Sequence, residues 1–335
     1  MPHKNYLSAT TIQDTRKKIS SYIKPTPIIK LDCPSLPKLL GKGTEVYCKL
    51  ELLQHGGSFK SRGAINNLLS LSKEQLKRGV VAVSAGNHGI AVSYAASVVG
   101  TSAKIIMPQT ANRSRVERCI SYGAEVILLP DMHTAFDKVK EVETSENRFF
   151  VHPFDSEQTI QGTATLGAEI VEELKDFDAI VIPIGGGGLA SGVSHVVRER
   201  LPLAKIYGVE PEGANTMFLS FQQGKPSSIP KITTIADSLG PPAAGVLNYE
   251  ECKKNLDDLV LVSDNQIKAA MYFLFSELKL VAEPAAAAST AATLGPLKEK
   301  LKGKKIVLII CGTNIDTQSY SNYLLEGEKL YSDSL

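Results

Sequence analysis

Residues 80–108 read VVAVSAGNHGIAVSYAASVVGTSAKIIMP. The apolar run VVAVS leads into a helical pattern that begins at His88, carries Ile90, Tyr94, Ala95 and Val98 on one face, and stops at Gly100. A second apolar run, AKIIMP, follows at once. The unit then repeats as a helix over 113–122, the strand AEVILLP, a helix over 134–146 and the strand RFFVHP. Strands alternating with helices predict a parallel sheet built by right-handed crossovers. This block of about 70 residues has the size of a small α/β domain.

The same style continues outward. DAIVIPI runs into GGGGL and a helix, and AKIYGVE reads as the next strand. Ser263 and Gln266 form a capping box ahead of the helical stripe Ile267, Ala270, Met271, Leu274 and Leu278. Glu283-Pro284 opens an alanine-rich helix ending near Gly295, and KIVLII runs into Cys311-Gly312-Thr313-Asn314. Towards the N-terminus, residues 10–23 read as an amphipathic helix with Ile12, Ile19 and Ile23 apolar, before Pro25 and Pro27 force an extended segment. The fold class expected is α/β with open parallel sheets in two domains.

Composition narrows the function. The chain of 335 residues is 43% hydrophobic and 21% charged, which removes it from the disordered class. Lys plus Arg number 37 against 35 for Asp plus Glu, so charge makes no case for nucleic acid or an anionic membrane as a partner. Five cysteines without paired spacing (Cys33, Cys48, Cys119, Cys252, Cys311) fit a reducing compartment and show no zinc motif. MPHKNYLSATTIQDTRKK lacks the apolar core of a signal peptide, and no stretch reaches the roughly 20 apolar residues of a membrane helix. The expectation is a cytoplasmic protein acting on a small molecule.

Four loops could carry chemistry. Gly185, Gly186, Gly187 and Gly188 lie between a strand and a helix, where successive N–H groups can cradle a phosphate. A tight packing turn needs fewer glycines. The segment also matches a dinucleotide fingerprint, Gly185-x-Gly187-x-x-Ala190 with Glu210 closing the next strand, so a nicotinamide enzyme stays open at this point. In GGSFKSRG, Lys60 follows two glycines and an aromatic ring at the start of a helix. A helix N-terminus and a neighbouring cation, Arg62, disfavour its ammonium, which suits an amine nucleophile or base, although a solvated or phosphate-binding lysine fits the same residues. In SAGNHG, hydroxyl and backbone donors at a strand–helix junction can hold a carboxylate. The plainer reading makes Ser84 a helix N-cap and His88 a structural histidine. Cys311, after IVLII, reads by itself as a small core residue.

GGSFKSRG, SAGNHG, the glycine tetrad and C-G-T-N, in this order and spacing, resemble the β-family (fold type II) of pyridoxal-phosphate enzymes, in particular the threonine/serine dehydratase and serine racemase branch. The likeness spans nearly the whole chain, from Thr26-Pro27 to Glu283-Pro284. It implies a tryptophan-synthase-β-like fold, with a small domain over 79–152 inserted into a larger cofactor-binding domain formed by 1–78 and 153–335. It implies that Lys60 forms the internal Schiff base with pyridoxal 5'-phosphate and removes the substrate's α-proton. Phe59 would pack on the cofactor ring, Asn87 would bond its 3-hydroxyl, the four glycines would bind its phosphate and Cys311 would sit beside its ring nitrogen. Ser84 and the backbone of Gly86, Asn87 and His88 would grip the substrate carboxylate. The implied reaction is β-elimination from L-serine or L-threonine to a 2-oxo acid and ammonia, in a homodimer.

Three departures qualify the likeness. Serine racemases carry a second serine after the first one of SAGNHG, which protonates the face opposite the lysine; here that residue is Ala85. Racemisation needs an acid–base group on each face, so elimination is favoured over serine or aspartate racemisation, and a hydroxyaspartate-type dehydratase belongs with the eliminating reading. Relatives hold a cation with a Glu, a backbone carbonyl and an Asp. Glu210 and Ala214 match, but the Asp position is Thr216, which weakens a divalent ion and leaves a monovalent ion, none, or a plain surface role for Glu210. The two prolines of Ala236-Asp237-Ser238-Leu239-Gly240-Pro241-Pro242, a segment expected near the substrate's β-substituent, also depart from the relatives. The chain ends at Leu335 without the regulatory domain of the biosynthetic threonine dehydratases, so a short, single-module type is expected.

Overall fold

The computed structural model describes residues 6–332, so the first five residues of the N-terminal segment and Leu335 lie outside the described residues. Among these, ten strands form two sheets: β1 (Ile28–Leu31), β2 (Glu45–Lys49), β3 (Val80–Val83), β4 (Ala103–Pro108), β5 (Glu125–Leu129), β6 (Phe149–Phe150), β7 (Ala179–Pro183), β8 (Lys205–Pro211), β9 (Asp258–Val262) and β10 (Lys305–Ile309). The smaller sheet runs β5-β4-β3-β6 and is parallel throughout. The larger runs β1-β2-β10-β7-β8-β9, parallel except for the antiparallel pair of β1 and β2.

The strands at the centre of each sheet were legible as apolar runs, and so were the smaller sheet's two edges, β5 and β6. Every residue of β3 and β7 is buried, because helices cover both faces of a parallel sheet and leave no solvent side for polar residues. β1 and β9 are the edges of the larger sheet; β1 and β2 mix charged and apolar residues and do not stand out as apolar runs, while β9 offers only the four apolar residues after Asp258.

The helix Glu157–Glu173 was also not foreseen. Its sequence, EQTIQGTATLGAEIVEE, has three threonines and two glycines, which weaken intrinsic helix preference. Packing forms it instead. A Cβ on Gly162 would stand 2.7 Å from the backbone of Gly63, so the glycine lets this helix approach the helix Lys60–Leu68 closely. That second helix turns Ala64, Ile65 and Leu68 into the core of the smaller sheet. The residue at its start, Lys60, therefore lies at the seam between the two sheets.

Two expectations are corrected locally. The first helix spans Ala9–Ile19 rather than reaching residue 23, although Ile23 is still buried. The helix Asn87–Val99 is buried on nearly all sides, whereas Val98, expected on its inner face, is 40% exposed. The helices Val246–Asn255 and Thr317–Ser332 were not read from the sequence. Among the described residues no helix is long and apolar enough to cross a membrane.

Candidate active site

The carboxyl ends of β3, β7 and β10 meet at the seam, the usual place for ligands in open α/β sheets. There Phe59, Lys60, Asn87, Gly185, Gly186, Gly187, Gly188 and Cys311 line one cleft, which brings eight of the residues singled out above together. Phe154, Ser238, Leu239 and Glu283 line it too; Ser238 and Leu239 come from the segment expected near the substrate's β-substituent, whereas Phe154 and Glu283 were given no part in the site.

Lys60 is the first residue of its helix. A bridge between Ser58 and Gly312, and the bond from Phe59 N–H to the Cys311 carbonyl (3.1 Å), fasten its loop to the chain after β10. Its Nζ donates to the Pro153 carbonyl at 2.7 Å and stands 5.3 Å from the centre of the Phe59 ring. Burial pushes the amine down to about 8. The expected influence of Arg62 does not apply: that guanidinium is fully buried and turned to Glu51 and Glu169, which neutralise it.

The glycine run leads into the helix Gly188–Arg200, with Gly187 as N-cap at φ +94°. The first N–H groups of a helix have no intrahelical acceptor and are free for an anion. A Cβ on Gly186 would lie 2.3 Å from the Phe154 ring, so no larger residue fits this bend. Asn248 holds the loop from behind, its Nδ2 donating to the carbonyls of Gly186 (2.9 Å) and Phe154 (3.0 Å).

Asn87 opens the helix after β3. Its Nδ2 donates to Glu283 Oε1 at 2.5 Å, and its Oδ1 accepts from Asn314 Nδ2 at 2.6 Å. Cys311 is buried, and burial raises its thiol well above the ordinary value, which keeps it neutral. Glu283 is likewise enclosed; burial pushes its carboxyl up to about 7, with Arg115 pulling the other way.

Ser84, Gly86 and His88 flank Asn87 in sequence but are not among the residues lining the cleft. The Ser84 hydroxyl accepts from the Gly86 N–H at 3.0 Å, and the helix N-cap is Gly86 rather than Ser84. The His88 ring bonds the Val151 carbonyl at 2.8 Å, and burial takes it down to about 3, so it is neutral and structural while its backbone remains at the helix start. Behind Gly86 stands Arg115, whose guanidinium bonds Asp237 (2.5 and 3.1 Å) and the Asn314 carbonyl (2.9 Å). It ties the smaller sheet's helix Arg113–Ser121 to the loops of the larger one.

Glu210 and Ala214 lie apart from this cleft, at the end of β8. Glu210 is no surface carboxylate: it is fully buried, pushed up to about 8 by burial, and accepts from the N–H groups of Met217 (2.9 Å) and Phe218 (2.8 Å) at the start of the helix Thr216–Gln223. Among the described residues no group of three or more His, Cys, Asp or Glu is placed to hold a metal. One carboxylate already occupied by two backbone donors does not fit a divalent ion. Nor is it free to meet a nucleotide ribose.

A family described as pyridoxal-phosphate dependent enzyme matches residues 19–312. The chain belongs to this family. It is 46% identical over 325 residues to the phenylserine dehydratase of Ralstonia pickettii, covering 95% of this chain and 98% of that protein. It is 40% identical over 286 residues to the L-threonine ammonia-lyase of Thermotoga maritima, covering 85% and 71%. Among solved structures, maize serine racemase superposes with a TM-score of 0.89 at 31% identity, covering 98% of this chain and 99% of that one. The cofactor of this pyridoxal-phosphate enzyme fits the cleft on chemical grounds: a buried amine, a glycine-built anion cradle and a neutral thiol converge there. The residues missed by sequence reasoning belong to tertiary structure, and the one signal that could have exposed Glu283 is its place before the helix-opening Pro284.

Proposed function

We propose that this pyridoxal-phosphate enzyme is an ammonia-lyase that dehydrates a β-hydroxy-α-amino acid to a 2-oxo acid and ammonia. The carrying observation is that the cleft offers a single free base. Of its ionisable side chains, Lys60 has a depressed pKa, Cys311 is held neutral, and both oxygens of Glu283 are taken by Asn87 and Asn314. Two residues before the cleft-lining Asn87, Ala85 has only a methyl group to offer.

Bound there, pyridoxal phosphate supplies an electron sink conjugated to the substrate's α-carbon. Lys60 holds the cofactor through Nζ and takes up the α-proton. The N–H groups from Gly185 to Gly188 bind its phosphate, Phe59 packs on its ring, Asn87 donates to its 3-oxygen, and the Cys311 thiol meets its ring nitrogen without conferring a full charge. Ser84 and the backbone of Gly86 to His88 orient the substrate carboxylate. With a base on one face only, the α-proton returns to the side it left or the β-hydroxyl departs as water. The enamine so freed takes up water and releases ammonia, which balances the reaction.

L-serine and L-threonine are the proposed substrates, and the phenylserine dehydratase relative adds phenylserine to the set. A homodimer in the cytoplasm, with 79–152 as the inserted domain, completes the reading. Protein loaded with pyridoxal phosphate and offered these three substrates releases 2-oxo acid and ammonia in equal amounts from at least one; a loaded protein that releases neither from any of them rejects the proposal.

A further inference from the structure

Glu283 has a task that the reaction above leaves unstated. Its carboxylate is fully buried and closes a ring of hydrogen bonds among three distant parts of the chain. Asn87 Nδ2 donates to Glu283 Oε1 (2.5 Å), the Asn314 N–H donates to Glu283 Oε2 (3.0 Å), and Asn314 Nδ2 donates to both Asn87 Oδ1 (2.6 Å) and the Gly56 carbonyl (2.8 Å).

This ring decides which way the Asn87 amide points. Turned over, the amide would set its NH2 against the NH2 of Asn314 and its oxygen against the carboxylate of Glu283, two repulsive contacts in place of two bonds. The amide is thereby fixed with one Nδ2 hydrogen on Glu283 and the other directed into the cleft, where it donates to Ser238 Oγ at 3.4 Å. Both Glu283 oxygens accept from N–H groups, which favours the ionised carboxylate against its burial. The charged or titratable groups around it are Arg115, which favours that form, Asp237, which opposes it, and the Cys311 thiol, which burial and then the Glu283 charge keep protonated.

We propose that Glu283, with Asn314 as its second arm, is the positioning residue that makes Asn87 a hydrogen-bond donor to the cofactor's 3-oxygen. The inference rests on the cofactor reading of the cleft. Swapping carboxylate for amide in Glu283→Gln puts an NH2 group opposite one of two N–H donors, so the ring breaks and the Asn87 amide loses its fixed direction.

The test compares equilibrium binding of pyridoxal phosphate with that of 3-deoxypyridoxal phosphate, which lacks the oxygen concerned. The wild type prefers pyridoxal phosphate, and in Glu283→Gln that preference falls by roughly 10- to 100-fold, the worth of one hydrogen bond to a charged group. Asn314→Ala, which removes the other arm, lowers the preference in the same direction. A merely structural role weakens both ligands alike, so an unchanged ratio in a folded Glu283→Gln overturns the proposal. If that variant does not fold, an unchanged ratio in Asn314→Ala overturns it. A wild type that binds both ligands without preference removes the Asn87 contact, and one that binds neither removes the cofactor reading itself; the proposal falls with either.

Discussion

Lys60→Ala, loaded with excess pyridoxal phosphate, turns over L-serine and L-threonine at least about 10³-fold more slowly than the wild type, because one side chain serves as both anchor and base. Lys60→Arg does no better, since a guanidinium does not give up its proton in a protein. Both variants keep the wild-type circular dichroism, because Lys60 makes no ion pair and bonds only the Pro153 carbonyl. The pH dependence has a definite sign. Burial lowers the Lys60 amine to about 8, so the neutral form needed for cofactor attachment is scarce at pH 6 and dominant above 8. The rate at which the cofactor-free protein takes up pyridoxal phosphate therefore rises with pH and levels off above about 8. A Lys60→Ala protein with wild-type turnover removes the residue from the mechanism.

Arg62→Met lowers the stability of the protein by about 3–5 kcal/mol in urea unfolding, the cost of leaving a buried charge without its partner. Arg62 bonds Glu51 through Nε and Nη2 (both 2.8 Å) and Glu169 through Nη1 (2.7 Å) and Nη2 (2.8 Å). Lys49 joins them at 2.8 Å from Glu169, so two cations face two anions and the buried cluster is neutral. Thr26 completes it, its hydroxyl donating to Glu51 and its carbonyl accepting from Lys49. Removing Arg62 alone leaves a net negative charge in the core. Arg62→Lys recovers only part of the loss, because one ammonium cannot span two carboxylates as the planar fork does. Since Arg62 is two residues beyond Lys60 on the same helix, the folded fraction also loses activity. A change below about 1 kcal/mol shows that water reaches the cluster and screens it.

The central strands and the glycine tetrad were legible because each states its environment locally. VVAV and AIVIP are apolar throughout because they are covered on both faces, and four glycines exceed the needs of a turn. β1 and β2 were not legible, since charged residues break up their short apolar stretches, and β9 was missed although residues 259–262 are apolar throughout. The helix Glu157–Glu173 was hidden because its glycine contact with Gly63 is tertiary. Within the site, Lys60 and Asn87 were marked by flanking motifs. Glu283 reaches Asn87 across 196 residues and Arg115 reaches Asp237 across 122, and neither pairing leaves a trace in local spacing. A lowered Lys60 amine was expected from its motif, but burial lowers it rather than a neighbouring cation. Arg62 looked like a neighbouring cation in sequence, and its helix turns it away to Glu51 and Glu169.

The fate of the α-proton tests the central claim most directly. Chiral chromatography of the amino acid left after partial turnover of L-serine, with 2-oxo acid measured in parallel, separates the two chemistries that relatives of this chain perform. With Lys60 on one face and Ala85 offering nothing on the other, the account predicts 2-oxo acid with ammonia and residual serine that is entirely the L-isomer. D-serine accumulating at a rate comparable to 2-oxo acid contradicts it, and places a second acid–base group on the face assigned here to no side chain.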